Sequence, residues 1–137
     1  MTVIDATNSR VGRLSSVIAK RALLGEKIDL VNCEKAVLTG KKHTIFANYR
    51  KKKERGNPLK GPFLSMMPDR FVRRIIRGMV PYKQEKGRKA FKNIMCYIGI
   101  PTKLRSEKIE KVKEVNIINS NSINYISIED ICKEIKG

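Results

Sequence analysis

The sequence predicts an α/β fold built around a mostly parallel sheet that is covered on both faces. Two observations lead to this prediction. A strand, a helix and a second strand follow one another within the first 32 residues, which is the order of a βαβ unit. The strands are also apolar along most of their length rather than alternating, as is typical of strands buried on both sides.

A helix is predicted between the first two strands, which cover Thr2–Ala6 and Lys27–Asn32. Asn8 or Ser9 can cap its N-terminus with a side-chain oxygen. Its apolar residues recur at helical spacing, and Gly25 stands where a left-handed residue commonly ends a helix. This arrangement predicts that the two strands lie parallel.

The next segments continue the alternation of strand and helix. A third strand is predicted at Lys35–Gly40, followed by a helix over Lys41–Gly56. The residues of this helix expected to face inward are Ile45, Phe46 and Tyr49. The stretch Gly56–Pro68 holds three Pro and two Gly, which predicts an irregular loop.

The segment that follows, RFVRRIIRGMVPYKQEKGRKAF (residues 70–91), carries eight basic residues and one acid. Pro68 fits the first turn of a helix, and Gly78 and Pro81 end it. Four arginines, which we call the arginine stripe, recur at helical spacing: Arg70, Arg73, Arg74 and Arg77. An apolar stripe follows two positions later: Val72, Ile75, Ile76 and Met79. Two residues turn a helix by roughly 200°, so the stripes are expected back to back.

The remaining elements are shorter. Residues 82–87 are predicted to form a basic loop, in which Gly87 has no side chain to obstruct the close approach of a ligand. A short helix from Arg88 and a strand at Met95–Pro101 follow. The charge-balanced tail ends in a helix that Ser127 caps.

Positive charge is concentrated in the middle of the chain. The protein has 30 Lys and Arg against 13 Asp and Glu, a formal net charge of +17. Residues 41–92 hold seventeen of the basic residues and three of the acids, so this segment carries +14. Such a block repels itself unless a polyanion neutralises it, and nucleic acid is the obvious one. An anionic membrane fits less well because the chain has no Trp and only four Phe.

The sequence carries no motif for catalysis, and we expect neither a metal nor a cofactor. Cys33, Cys96 and Cys132 are too far apart for a CxxC site, and the single His43 completes no zinc pattern. There is no phosphate-binding GxxxxGK motif and no GxGxxG motif. The acids are dispersed rather than paired. Three reduced, mostly buried thiols are expected.

Two alternatives to a structural RNA-binding protein stay open at this point. One is an RNA-processing or nucleotide-binding α/β enzyme, because fold alone does not establish function. The other is a general DNA-binding protein. A basic surface spread over several helices and loops is better suited to structured RNA recognised by its backbone. No apolar run approaches the ~20 residues that span a bilayer, and the N-terminus lacks a signal-peptide pattern, which predicts a cytosolic protein.

Four stretches resemble the large-subunit ribosomal protein L-thirteen family in its archaeal and eukaryotic form. They are Ile4–Gly40, Gly56–Phe63 (GNPLKGPF), Arg77–Lys83 (RGMVPYK) and Gly87–Pro101 (GRKAFKNIMCYIGIP). The run RGMVP beside GR is the most specific part, with Val80 where Leu is commoner. The resemblance covers residues 3–101, and the tail departs most from the family.

The resemblance implies a non-catalytic component of the large ribosomal subunit that binds ribosomal RNA in the cytoplasm. Its expected partners are that RNA and neighbouring ribosomal proteins, without a membrane or a small-molecule substrate. The implied fold is a compact sandwich. We therefore expect three layers, with a small, mostly parallel four-stranded sheet, helices on both faces, a basic loop and a C-terminal helix. Residues 1–137 are expected to form one domain, with 102–137 as a C-terminal extension packed on it.

The candidate RNA-binding residues combine the charge pattern with positions carried over from the resemblance. They are Arg13, Lys41, Lys42, Arg50, Lys51, Lys52, Lys53, Arg55, Lys60, Arg70, Arg73, Arg74, Arg77, Lys83, Lys86, Arg88 and Lys89.

Overall fold

The computed structural model describes residues 1–119, 121 and 123–136. Its strands and α-helices follow in the order β1 (Thr2–Asp5), α1 (Val11–Leu23), β2 (Ile28–Val31), β3 (Val37–Thr39), α2 (Lys42–Glu54), α3 (Pro68–Arg77), α4 (Glu85–Lys92), β4 (Ile94–Cys96), β5 (Ile109–Glu110), β6 (Tyr125–Ser127) and α5 (Ile128–Lys136). Short 3-10 turns join several of them.

Four of the strands form one parallel sheet in the order β4-β2-β1-β5. Ile4 of β1 lies opposite Leu30 of β2, and Leu30 lies opposite Cys96 of β4. Helix α1 connects β1 to β2, so the predicted βαβ unit and the predicted four-stranded parallel sheet are both confirmed.

One strand of this sheet is not the strand that the sequence predicts. The predicted third strand exists as β3, but it pairs antiparallel with β6 in a separate two-stranded sheet. The fourth place in the parallel sheet belongs to β5, which pairs with β1 through only Ile109 and Glu110. Two residues in a charge-balanced segment leave no periodic pattern, and for this reason the sequence does not predict β5.

Helix α1 ends where expected but begins without the predicted cap. Gly25 has a φ of 98° and donates its N–H to the Ala22 carbonyl at 3.0 Å, a contact typical of a Schellman C-terminus. The N-cap residue is Arg10, and no side chain caps the helix there. The prediction that Asn8 or Ser9 caps α1 is wrong, because the backbone of these residues forms a β-bridge and a turn before the helix begins. Ser9 bridges residue 116, and Asn8 occupies a left-handed turn with a φ of 56°.

Buried side chains lie on both faces of the sheet. Successive strand residues point to opposite faces. Ile4, Ile28 and Leu30 therefore join the large cluster to which α1, α3, α4 and α5 contribute. Val3 and Val31 lie on the other face and pack with Leu104 of a single 3-10 turn. Both faces of the sheet are therefore buried, and the predicted α/β fold is confirmed. Among the described residues the predicted helical cover of the second face is this short 3-10 turn.

The predicted C-terminal helix is present as α5, and its apolar side is part of the main core. Its buried residues are Ile128, Ile131, Cys132 and Ile135. Ser127 accepts the Asp130 N–H through its Oγ at 3.3 Å, which confirms the predicted cap. No helix in the part of the chain that the structure describes is long and apolar enough to cross a membrane.

Candidate nucleic-acid interface

A basic groove of about 620 Å³ lies between the C-terminal end of α2, the loop of residues 55–67 and α3. Its cations are Lys52, Arg55, Arg70, Arg73, Arg74 and Arg77. The neutral part of its lining consists of Pro62, Phe63, Leu64, Ser65 and Phe91. Among the described residues no acid lines it. Six cations without a carboxylate make this concave surface a strong attractor for phosphate groups.

Helix α2 packs mainly on α5, and an aromatic contact with α3 places its basic end at the groove. Ile45 is buried, while Phe46 and Tyr49 are half-buried against the core, as predicted. The Tyr49 ring lies 5.1 Å from the ring of Phe71 on α3. Positive charge at the end of α2 also suits the helix dipole. Lys52 and Arg55 therefore enter the groove from a helix that is anchored by aromatic packing.

Helix α3 has the two opposed faces that the spacing predicts. Pro68 occupies its first turn, and Phe71, Val72 and Ile76 are buried. The apolar stripe is shorter than predicted because α3 ends at Arg77, which leaves Met79 42% exposed beyond the helix. All four arginines of the stripe line the basic groove.

The arginine stripe contains two kinds of residue. Arg73 is half-buried: its Nε donates to the Ile94 carbonyl at 3.1 Å, and its guanidinium lies 4.0 Å from the Phe91 ring. Arg77 is also half-buried, 4.7 Å from the Tyr82 ring. The side chains of Arg70 and Arg74 are exposed, and neither side chain has a hydrogen bond or ion pair with any residue that the structure describes. These two have their full bonding capacity available to a ligand.

Two candidates on α2 contact the C-terminal helix rather than the groove. Arg50 forms an ion pair with Glu134 of α5. Lys53 donates its Nζ proton to the carbonyl of Ile135. Both therefore join α2 to α5, and a direct role for them in RNA contact stays a prediction.

The other candidates lie outside the lining of the groove. They are all exposed: Arg13, Lys41, Lys42, Lys51, Lys60, Lys83, Lys86, Arg88 and Lys89. Lys42 lies 5.5 Å from the Phe46 ring and lines a second hollow with Glu34, Glu129 and Asp130. Lys89 pairs with Glu85 at 3.0 Å. The structure thus separates a concentrated site from a scattered basic surface.

The predicted basic loop over residues 82–87 is shorter than expected: residues 82–84 form a turn, but the part around Gly87 is helical. Helix α4 begins at Glu85, so Lys86, Gly87 and Arg88 are helical. Gly87 is buried, and a Cβ placed on it would lie 1.9 Å from the carbonyl oxygen of Pro81. This glycine is required for close packing of α4 on the preceding turn, not for approach of an RNA backbone.

Sequence reasoning missed the two aromatic residues of the groove, Phe63 and Phe91. Phe63 is 72% exposed although it is a large apolar side chain. Its signal in the sequence is an aromatic residue directly after Gly61 and Pro62, in a loop that joins two basic segments. Phe91 carries no such signal, because its role depends on Arg73, which lies far away along the chain.

The carboxyl end of the parallel strands, where α/β enzymes bind ligands, carries a buried carboxylate with a structural role. Oδ1 of Asp5 accepts the hydroxyl of Thr7 at 2.6 Å, its N–H at 2.9 Å and the Asn32 side-chain amide at 3.0 Å. Burial alone raises the pKa of Asp5, but these bonds and nearby Lys111 outweigh it and lower that pKa. Among the described residues no group of acids, His and Cys is arranged to hold a metal.

The three cysteines are buried free thiols, as predicted. Burial raises the pKa of Cys132 to about 11. A hydrogen bond with Cys96, together with burial, raises the pKa of Cys33. Both thiols therefore stay protonated and unreactive at neutral pH.

Comparison with known proteins agrees with this structure. Residues 1–103 match the model of the family described as Ribosomal protein L13. A large ribosomal subunit protein uL13 from Methanopyrus kandleri is 44% identical over 136 residues, which cover 98% of this chain and 86% of the relative. The protein of the same name from Archaeoglobus fulgidus is 40% identical, over 96% of this chain and 85% of the relative. The one from Methanosarcina barkeri is 39% identical, over 98% and 97%.

The relatives are named as large ribosomal subunit proteins, which agrees with the prediction of a ribosomal protein rather than an enzyme. The matched residues include β1, β2, α1 and the whole basic groove. The family model spans most of the chain, and the relatives align with nearly all of it. The chain therefore belongs to the ribosomal protein L13 family.

Proposed function

We propose that this chain is a structural constituent of the large ribosomal subunit that binds folded ribosomal RNA through the basic groove. The convergence of six cations on one acid-free concave surface is the observation that carries the proposal. The name of its archaeal relatives, large ribosomal subunit protein, supports the assignment to that subunit.

The groove is suited to RNA because two of its cations are held in place before the ligand arrives. Arg73 is fixed by the Ile94 carbonyl and the Phe91 ring, and Arg77 by the Tyr82 ring. Arginine makes bidentate contacts with phosphate. Arg70 and Arg74, which are exposed, therefore supply phosphate contacts beside these two fixed arginines. Because α2 and α3 contact each other, phosphates from separate RNA segments are held at a set distance.

The test compares two pairs of charge reversals that change the net charge equally. Arg70→Glu with Arg74→Glu reverses the two exposed cations that α3 contributes to the groove. The control, Arg105→Glu with Lys108→Glu, reverses two exposed cations of the tail that do not line the groove. Each variant is assayed for co-sedimentation with large ribosomal subunits after expression in cells, and its melting temperature is recorded.

The groove variant is expected to be lost from the subunit fraction while its melting temperature stays near that of the wild type. The tail variant is expected to remain with the subunits. If both variants co-sediment normally, the groove is not the binding surface. If both are lost equally, net charge rather than the groove determines association.

A further inference from the structure

The basic groove holds one large aromatic side chain, Phe63, that the described residues leave largely exposed. Phe63 is 72% exposed and lies in the lining with Lys52, Arg55 and Arg70. A single exposed apolar side chain is common on protein surfaces, but this ring lies among the cations of the groove, where a ligand with both an anionic and an apolar part would contact both. Phe91, the other aromatic of the groove, differs because the guanidinium of Arg73 already lies 4.0 Å from its ring.

The loop that carries Phe63 is shaped around the ring. Gly61 has a φ of 82°, and a Cβ on it would lie 3.1 Å from ring atoms Cδ2 and Cε2 of Phe63. The Phe63 ring therefore rests directly against the backbone of Gly61, which has no side chain to separate the two. Asn57 closes the turn by accepting the Gly61 N–H at 2.8 Å. Leu64, the next residue, is half-buried against the core. The chain is thus anchored on both sides of an outward-facing Phe63.

A planar apolar surface next to phosphate-binding cations matches the two halves of a nucleotide. Bases have π faces that stack on aromatic side chains, while Lys and Arg follow the backbone. Within a duplex, the bases are already stacked on one another and are not available for this contact. A free aromatic surface in the groove is therefore suited to a nucleotide whose base has left the helix.

We propose that Phe63 is a stacking site for an unpaired nucleobase, supplied by a bulged or single-stranded nucleotide of the RNA in the basic groove. This inference rests on the proposed function, since it concerns the same groove. It adds that the bound RNA is not recognised by phosphate contacts alone. Because every base presents a π face, the site selects an unstacked base rather than a particular sequence.

The absence of tryptophan from the chain makes a direct test possible. Phe63→Trp places the only tryptophan of the variant at the site, and its control Leu59→Trp places one at an 89% exposed position of the same loop outside the groove lining. Each is titrated with protein-free large-subunit ribosomal RNA and with heparin, a polyanion without bases. Stacking predicts strong quenching only for Phe63→Trp with RNA. Equal quenching by heparin, or equal quenching at both positions, would overturn the stacking site.

Affinity measurements on Phe63→Ala separate this inference from the proposed function. The variant is expected to bind the RNA about tenfold more weakly, with an unchanged slope of log affinity against log salt, because no charge is lost. Wild-type affinity in Phe63→Ala would refute the stacking site while the wild type's salt-dependent binding still supports the groove. If the wild type itself binds the RNA without salt dependence, the proposed function fails.

Discussion

At the scale of single residues, Arg73 and Arg74 are neighbours in the arginine stripe with different surroundings. Arg73 donates to the carbonyls of Ile94 and Phe91, at 3.1 and 3.4 Å, and covers the Phe91 ring. Arg74 is exposed. The spacing that places both on one helix face does not reveal this difference, because the partners of Arg73 come from α4 and β4.

Arg73→Ala is therefore expected to lower the free energy of unfolding by about 2 kcal/mol, since it removes charged hydrogen bonds and a cation–π contact. Arg74→Ala is expected to leave stability within about 0.5 kcal/mol of the wild type and to weaken RNA binding instead. Urea unfolding and RNA titration of both variants check this separation. Equal losses of stability would show that the two arginines have the same role.

Gly87 offers a sharp test of backbone packing. A Cβ there would lie 1.9 Å from the Pro81 oxygen and 2.8 Å from the Tyr82 nitrogen, and backbone atoms cannot easily move aside. We expect Gly87→Ala to destabilise the protein by about 1–3 kcal/mol. Gly12→Ala is the matched control, because Gly12 lies in α1 and a Cβ there would have nothing within 4 Å. This substitution is expected to raise the free energy of unfolding by about 0.5–1 kcal/mol through helix propensity. Thermal melting distinguishes the two, and a stable Gly87→Ala would contradict the packing described.

Asp5 links stability to pH. Its pKa in the folded protein is lowered below the ordinary value, so its ionised form stabilises the fold above that value. This contribution is lost as the pH falls through the lowered pKa. Asp5→Asn is therefore expected to be less stable than the wild type at about pH 7, with a difference that shrinks towards about pH 3. Urea unfolding at both pH values measures it. A difference that is independent of pH would assign the effect to shape rather than charge.

At the scale of elements, the C-terminal helix is tied to the rest of the molecule. Ile131 of α5 is fully buried in the same core as β1 and α1, and Arg50 and Lys53 of α2 contact the last turns of α5. We propose that residues 1–137 fold as one unit, although the family model matches only residues 1–103.

Ile131→Ala is accordingly expected to cost about 2–5 kcal/mol and to lower the stability of the whole chain in a single transition. Ile123→Ala, at a position that is 90% exposed, is expected to change little. Hydrogen exchange of amides in β1 and β2 reports the effect far from α5. Unchanged protection of those strands in Ile131→Ala would mean that the tail folds independently.

The elements were predicted more reliably than their pairing. The helices over residues 11–23 and 68–77 follow from spacing within one segment, and Gly25 and Pro68 identify an end of each. The pairing of β3 with β6 joins residues almost ninety positions apart, and β5 comprises two residues. Such contacts are decided by tertiary packing, which no local pattern encodes. The start of α4 was missed because Gly87 suggests a loop until its contact with Pro81 is known.

At the scale of the whole molecule, the net charge of +17 predicted a polyanionic partner without identifying a surface. The cations of the groove were all among the candidates. The sequence does not show that Arg50 and Lys53 contact α5, or that Phe63 and Phe91 join the groove. The first assignment depends on which side of α2 faces α5, and the second depends on how the loop of residues 55–67 and α4 lie beside α3.

The central claim is that the groove binds ribosomal RNA through its phosphates, and the salt dependence of affinity tests it most directly. Binding of the wild type and of Arg70→Ala with Arg74→Ala to large-subunit ribosomal RNA is measured over a range of salt concentrations, with duplex DNA as competitor. We expect log affinity to fall linearly with log salt for the wild type. In the double variant the slope is expected to be shallower, by an amount that corresponds to at most about two phosphate contacts. Duplex DNA is expected to compete weakly. A flat dependence for the wild type, or an unchanged slope in the variant, would contradict the claim.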